Sequence, residues 1–299
     1  MDRREFTKQA SKIVLGGSMA LSIPSCMHTV NSNDPFFKIS LAQWSLHRSL
    51  RKRTLTTLDF PAKAKKDFDI HAVEYVNQFF LDQARDLIFL DELRQRTSDL
   101  NVENILIMID AEGELGHQDQ KMRLQAVENH YKWVEAAQIL GCRAIRVNAG
   151  GEGDKVEVAK AAQDSLFQLS NFAKDYEINV IVENHGGFSS NGDWLSGIIK
   201  KVNLDNCGTL PDFGNFYEYD RYQGVKEMMA FAKGVSAKSN YFDDSGNESE
   251  IDYVKMLQIV KDAGYTGYIG IEYEGPDDDE DKGIRLTKAL LLKASNQLS

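Results

Sequence analysis

The chain has 299 residues, with 45 acidic and 35 basic side chains and a formal charge of −10; hydrophobic residues make up 42% and charged ones 27%. That composition excludes wholesale disorder, and the acid excess without a long Lys/Arg block excludes a surface built to grip nucleic acid. Three cysteines, Cys26, Cys142 and Cys207, are too few and too scattered for a disulfide framework or a cysteine zinc cluster.

The chain opens Met1-Asp2-Arg3-Arg4-Glu5-Phe6-Thr7-Lys8, continues through an apolar Gly/Ala-rich stretch from Ile13 to Ile23, and breaks at Pro24-Ser25-Cys26. A basic start, a short apolar core and small residues before a break form the layout of an export signal over residues 1–26. The paired arginines followed by Phe6 and Lys8 resemble a twin-arginine signal. Ile23-Pro24-Ser25-Cys26 also resembles a lipoprotein cleavage box, with Pro24 an unusual member, and would leave Cys26 as a lipid anchor. The expected location is therefore the periplasm or a bacterial membrane surface, as an anchored lipoprotein. Removal of residues 1–26 takes away four basic and two acidic side chains, so the mature charge becomes −12. Residues 27–36, mostly small and polar, read as a tether.

From residue 37 to 299 one unit recurs: a short apolar run, then a longer charged segment of helical period. The candidate strands are Lys38–Ser45, Ala72–Gln78, Asn104–Ile109, Ala144–Asn148, Asn179–Glu183, Gly208–Asp212, Gly234–Ser239 and Tyr268–Tyr273. The clearest helices are Asp82–Arg96, Asp119–Leu140, Val156–Tyr176, Tyr253–Ala263 and Lys282–Ala294. Runs such as Val180-Ile181-Val182 are apolar throughout, as in a parallel sheet buried on both faces. Eight such units predict an α/β fold, a single-domain (β/α)8 TIM barrel. An open doubly wound sheet is the alternative, but no Gly-rich turn follows the first strand.

A barrel keeps its chemistry at the C-terminal ends of its strands. Those ends carry Gln43, Trp44, Glu74, Asn77, Asp110, Asn148, Glu183, His185, Asp212, Asn215, Lys238, Glu272 and Glu274. Glu183, Asp212 and Glu272 each follow an apolar run. Three carboxylates at one mouth repel unless a proton or a cation lies between them, and their oxygens suit Mg²⁺, Mn²⁺ or Zn²⁺. The plainer reading is three separate solvated acids.

The segments Val182-Glu183-Asn184-His185-Gly186-Gly187, Pro211-Asp212-Phe213-Gly214-Asn215, Ala237-Lys238 and Ile271-Glu272-Tyr273-Glu274-Gly275 resemble the xylose-isomerase-like barrel family, in its sugar (phosphate) isomerase/epimerase branch. The resemblance implies a divalent metal (Mn²⁺, Mg²⁺, Zn²⁺ or Co²⁺) held by Glu183, Asp212 and Glu272. Where the family places a histidine ligand, this chain has Lys238. A protonated lysine has no lone pair to give. Either three carboxylates and water hold the metal, or Lys238 replaces part of its charge, or Lys238 has a depressed pKa and serves as acid, base or ligand; a plain salt bridge to one carboxylate is the fourth option.

The implied activity is isomerisation or epimerisation of a sugar by proton abstraction next to a carbonyl, through an enediolate. Glu183 and Glu272 act as the two bases and Lys238 or His185 handles an oxygen proton. Gln43, Trp44, Glu74, Asn77, Asn148, His185 and Asn215 are the expected substrate-binding residues, and Trp44, Phe79, Phe213 and Trp194 the candidate apolar wall. His117 and His130 are expected at the surface. Asp277 to Asp281 is expected to cap the last helix. No Gly-rich phosphate loop with basic help follows strands seven or eight, so a non-phosphorylated sugar or keto-sugar is favoured. A keto-sugar dehydratase or lyase and a metal-free carbohydrate-binding lipoprotein are the alternatives. The expected partner is a small carbohydrate, with no nucleic acid; a homo-oligomer is compatible with the sequence.

Overall fold

Short buried strands alternate with helices, seven of which have first turns capped by acidic or amide side chains, and this alternation closes the chain into a barrel. The computed structural model describes residues 35–298. The export segment 1–26 with Cys26, and residues 27–34 of the tether, lie outside the described residues. The strands are β1 (Lys38–Ala42), β2 (Ala72–Val76), β3 (Glu103–Met108), β4 (Ala144–Asn148), β5 (Asn179–Glu183), β6 (Cys207–Leu210), β7 (Val235–Ser239) and β8 (Tyr268–Tyr273). All recorded ladders are parallel and run in the order β6-β5-β4-β3-β2-β1-β8-β7. The ring closes between β6 and β7 through two isolated bridges, Thr209 with Ala232 and Asp212 with Ser236. The seam is thin because Pro211 has no N–H for a ladder. Its carbonyl instead accepts from the Ser236 N–H at 2.9 Å, and the Phe213 N–H donates to the Ser236 carbonyl at 3.0 Å.

Around the sheet lie α1 (His47–Arg51), α2 (Phe60–Phe68), α3 (Leu87–Leu100), α4 (Gln120–Leu140), α5 (Lys155–Lys174), α6 (Gly192–Val202), α7 (Arg221–Met228), α8 (Tyr253–Asp262) and α9 (Glu280–Asn296). Side chains of Asp86, Asp119, Asp154, Asn191, Asp220 and Asp252 accept first-turn N–H groups and fix where six of these helices begin. Asp279 does the same for α9, as the acidic run predicts. Among the described residues no helix is long and apolar enough to cross a membrane.

Two apolar clusters divide the molecule. Strand side chains facing outward, such as Val180, Val182 and Ile271, pack with the helices. Inward, Ala72, Leu106, Ala144, Ile181 and Leu210 fill the barrel, and polar side chains lie above them.

Three sequence expectations shift. The first strand stops at Ala42, and Gln43–Leu46 is a 3₁₀ turn. The helix expected at Asp82–Arg96 starts at Leu87, where Asp86 caps it. His130 is buried, its Nδ1 2.7 Å from the Ala126 carbonyl, so it is a core residue of α4 and not a surface one.

Candidate active site

Strand alternation decides which side chains enter the barrel. On β5 and β8 the last inward positions are Glu183 and Glu272; just past β6, the next is Asp212. All three are buried, and one carboxylate oxygen from each lies within 4.8 Å of the others. The three are therefore not separate solvated acids, the plainer of the two sequence readings. No histidine or cysteine joins the group among the described residues.

Each carboxylate is aimed by its neighbours. Asn184 donates to the Asp212 carbonyl at 3.0 Å and accepts from the Asp212 N–H at 2.7 Å, clipping that residue to the end of β5. Asp212 Oδ1 accepts from the N–H groups of Gly214 and Asn215 at 2.9 and 2.8 Å, which leaves the buried Oδ2 without a partner. Asn215 donates to Glu183 Oε1 at 3.1 Å. Ser236 donates to Glu272 Oε2 at 2.9 Å, and Lys238 Nζ donates to Glu272 Oε1 at 2.9 Å. A β-carbon on Gly214 would fall 2.6 Å from Lys238 Cγ, so glycine at 214 makes room for the lysine stem.

Arg146, on β4, is a functional candidate that the sequence reading missed. Its Nη1 donates to Asp110 Oδ1 at 2.7 Å. Its Nε stands 2.8 Å from Glu183 Oε2, but off the N–H direction, so both atoms keep hydrogen-bonding capacity unused. The available signal was a lone arginine inside the run Ala144-Ile145-Arg146-Val147-Asn148, a charge where a strand buried on both faces otherwise has none.

The electrostatics divide the acids. Burial raises Glu183 and Asp212 to about 7, although Arg146 and Lys238 respectively pull them down. Burial also acts on Glu272, but the Lys238 ammonium and Arg146 outweigh it and hold Glu272 below the usual range. Asp110 is held at about 2, its burial overcome by Arg146. Burial opposes the charge on Lys238, yet Glu272, Asp212 and Glu274 raise its pKa well above 10.5. The option of a depressed lysine is thus corrected: Lys238 is a fixed ammonium, bridging Glu272 and, at 2.8 Å, Glu274.

The expected substrate-binding residues separate into two sets. Trp44, Asn148, His185 and Asn215 lie at the mouth. Trp44 donates its indole N–H to Glu274 and stacks on His47 at 5.2 Å, with Phe79 at 5.9 Å. Asn148 shares Asp110 with Arg146, at 2.9 Å. His185 is exposed at the rim, its pKa lowered by desolvation and by Arg146. Gln43, Asn77 and Glu74 sit in the wall or below it. Gln43 is buried, donating to Thr57 Oγ1 at 3.1 Å and accepting from the Val76 N–H at 2.9 Å. Asn77 clips Asp110 just as Asn184 clips Asp212, at 2.9 and 3.0 Å. Glu74 follows a register shift at Val73/Glu74 and accepts from Ser40 Oγ at 2.5 Å. A β-carbon on Gly270 would lie 2.6 Å from both its oxygens, so that glycine gives the carboxylate its space. Phe213 packs edge-on against Tyr253 in the outer core, and Trp194 stands near Phe188, so neither joins the wall beside Trp44.

Residues 62–292 match the family model described as the xylose isomerase-like TIM barrel. Among solved structures, the IolI protein with a bound zinc superposes with a TM-score of 0.70 at 15% identity, covering 87% of this chain and 99% of that one. An L-ribulose 3-epimerase gives 0.69 at 15%, covering 88% and 96%. The 3-keto-D-glucoside 4-epimerase of E. coli gives 0.66 at 16%, covering 86% and 99%. No curated protein matches the sequence.

Proposed function

The chain belongs to the xylose isomerase-like TIM barrel family, and we propose that it is a divalent-metal-dependent isomerase or epimerase of a non-phosphorylated sugar or keto-sugar. The observation that carries this reading is the convergence of Glu183, Asp212 and Glu272, with Asp212 Oδ2 buried and lacking a hydrogen-bond partner. An unpartnered buried oxygen beside two further carboxylates is what a cation would satisfy. The residues therefore fit a metal, with an all-oxygen donor set suited to Mg²⁺ or Mn²⁺ and acceptable to Zn²⁺ or Co²⁺. The epimerases among the structural neighbours support the same class.

When bound, such an ion polarises a carbonyl and its neighbouring hydroxyl and so acidifies the C–H between them. The protein's own groups do the rest. Glu272, kept ionised by Lys238, takes that proton. Glu183, titrating near neutral pH, returns a proton from its own strand across the mouth. Return on the opposite face of the same carbon epimerises the sugar; return to the adjacent carbon isomerises it. Lys238 stays an ammonium and stabilises charge developing on the enediolate oxygen. Trp44 and Phe79 offer an apolar face to the sugar's C–H groups.

Proton exchange tests this directly. Metal-loaded protein in heavy water, given a panel of ketoses, is expected to place deuterium on the carbon beside the carbonyl. Chelation, Glu183→Gln and Glu272→Gln should each abolish the signal. Absence of exchange from every ketose would sink the enolising mechanism. A keto-sugar dehydratase would give the same label together with loss of water.

One observation favours a metal-free carbohydrate-binding reading: two buried cations, Arg146 and Lys238, already face the acids. Metal analysis of protein purified without added ions separates the two, near-unit occupancy supporting the enzyme. The same proposal includes export, on the strength of residues 1–26. Mass analysis of the native N-terminus should find Met1 removed and, for a lipoprotein, Cys26 first.

A further inference from the structure

The outer edge of the mouth carries the opposite charge to its interior. Residues 48–53 hold four basic side chains, Arg48, Arg51, Lys52 and Arg53, in a chain of net charge −10. They lie in the loop and short helix that follow β1, on the face where the acids open. Arg48 is engaged, donating to the Gly275 carbonyl at 2.7 Å and facing Asp278 at 3.8 Å. Arg51 and Arg53 face no carboxylate among the described residues. Both line a groove of about 580 Å³ between the loops after β1 and β2, together with Leu55, Thr56, Gln78 and Phe79. That volume is within the range of small-molecule sites.

The groove and the acid cluster share a rim along two routes. On one, Arg51 lies 5.0 Å from the Trp44 ring, and Trp44 binds Glu274, which Lys238 links to Glu272. On the other, Gln78 donates to Asp110 Oδ2 at 3.2 Å, and Asp110 pairs with Arg146 beside Glu183. A ligand that spans this rim would meet both. Its reacting part must be uncharged, because the interior acids repel an anion. Its outer part meets two guanidinium groups without counter-ions, whose forked donors match an oxyanion, beside an aromatic edge suited to a sugar ring.

We propose that this groove is a subsite for an oxyanion, a carboxylate or a sulfate ester, on the distal unit of a saccharide whose neutral unit occupies the acid-lined mouth. The inference rests on the carbohydrate reading above and assigns Arg51 and Arg53 to specificity, outside the reacting residues.

The test titrates the full chain with methyl β-D-glucuronide, with methyl β-D-glucoside 6-sulfate and with neutral methyl β-D-glucoside, following heat and Trp emission. At least one anionic glycoside should bind saturably and about ten-fold tighter than the neutral one. The gap should close with added salt and in Arg51→Gln/Arg53→Gln. Preference for the carboxylate alone identifies a uronate, and for the sulfate alone a sulfated sugar. No saturable anion binding, or a gap unchanged by the double substitution, overturns the subsite. Heavy-water exchange into a neutral ketose should be the same in wild type and double variant. Loss of exchange from both speaks against the enolising function, whereas loss of the anion gap alone speaks against the groove.

Discussion

Lys238 and Glu272 stand opposite one another in the register of β7 and β8, and their side chains meet at 2.9 Å inside the barrel. The ammonium also faces Glu274 at 2.8 Å. It is thus the counter-ion of a buried acidic cluster and has no lone pair for a metal. Lys238→Met keeps the stem's volume but leaves the acids uncompensated. Removing one partner of a buried pair costs about 3–5 kcal/mol, so metal-free Lys238→Met should melt well below wild type. Added Mn²⁺ should raise its melting temperature more than that of wild type. Equal melting temperatures with and without Mn²⁺ would show that the acids do not share a cation.

Asn184 and Asn77 allow a paired comparison. Each clips the backbone of an acid just past the following strand, Asp212 and Asp110 respectively. Truncation to Ala leaves buried backbone groups unpaired and should cost about 2–3 kcal/mol in either case. Only Asn184→Ala moves a proposed ligand, and outer-shell partners of that kind are worth about 10–100-fold in metal affinity. Calorimetric titration with Mn²⁺ should weaken for Asn184→Ala and stay unchanged for Asn77→Ala. The same loss in both variants would mean that global destabilisation, and not ligand aim, sets affinity.

Arg146 holds Asp110 at 2.7 Å and Glu183 at 2.8 Å. In Arg146→Met, Glu183 loses its strongest pull toward the ionised form, so its pKa climbs further and it holds its proton at neutral pH. A protonated Glu183 is a poorer ligand for the cation, so metal affinity and with it deuterium exchange should fall, exchange by about 10²-fold at limiting metal, with partial recovery as pH is raised. A folded Arg146→Met enzyme with an unaltered exchange profile would restrict Arg146 to structure.

Glu74 should write a pH dependence into stability. Burial raises it from an ordinary 4.5 to about 7, against the Ser40 hydrogen bond. Between those two pH values the folded protein binds the proton and the unfolded chain has lost it. Stability therefore falls as pH rises through that window, by an amount on the order of 3 kcal/mol. Glu74→Gln removes the titration, so in urea melts of metal-free protein from pH 4.5 to 8 wild type should lose stability relative to the variant as pH rises, the two curves diverging. Parallel curves for wild type and Glu74→Gln would show that Glu74 stays ionised in the fold.

The alternation of strands with helices and the cap of the last helix were legible in the sequence, because burial on both faces makes strands apolar and caps are local. So were Glu183, Asp212 and Glu272, each marked by an acid closing an apolar run. The helices at Phe60–Phe68, Gly192–Val202 and Arg221–Met228 were less plain; at 9, 11 and 8 residues they offer few turns over which a period can be read. Gln43 and Asn77 were read as ligand-facing since they end strands. Whether such an amide points at a cavity or clips a neighbouring strand depends on the turn that follows, which composition does not record.

By itself, the sequence determined that apolar strands and amphipathic helices alternate and that acids close three of the strands, because these are local patterns of side-chain polarity. Only the tertiary structure decided that residues 183, 212 and 272 meet, that Lys238 is an ammonium between two glutamates, and that Arg146 belongs to the same cluster. Those facts depend on barrel closure and on shared burial, which set distances and fields between residues far apart along the chain.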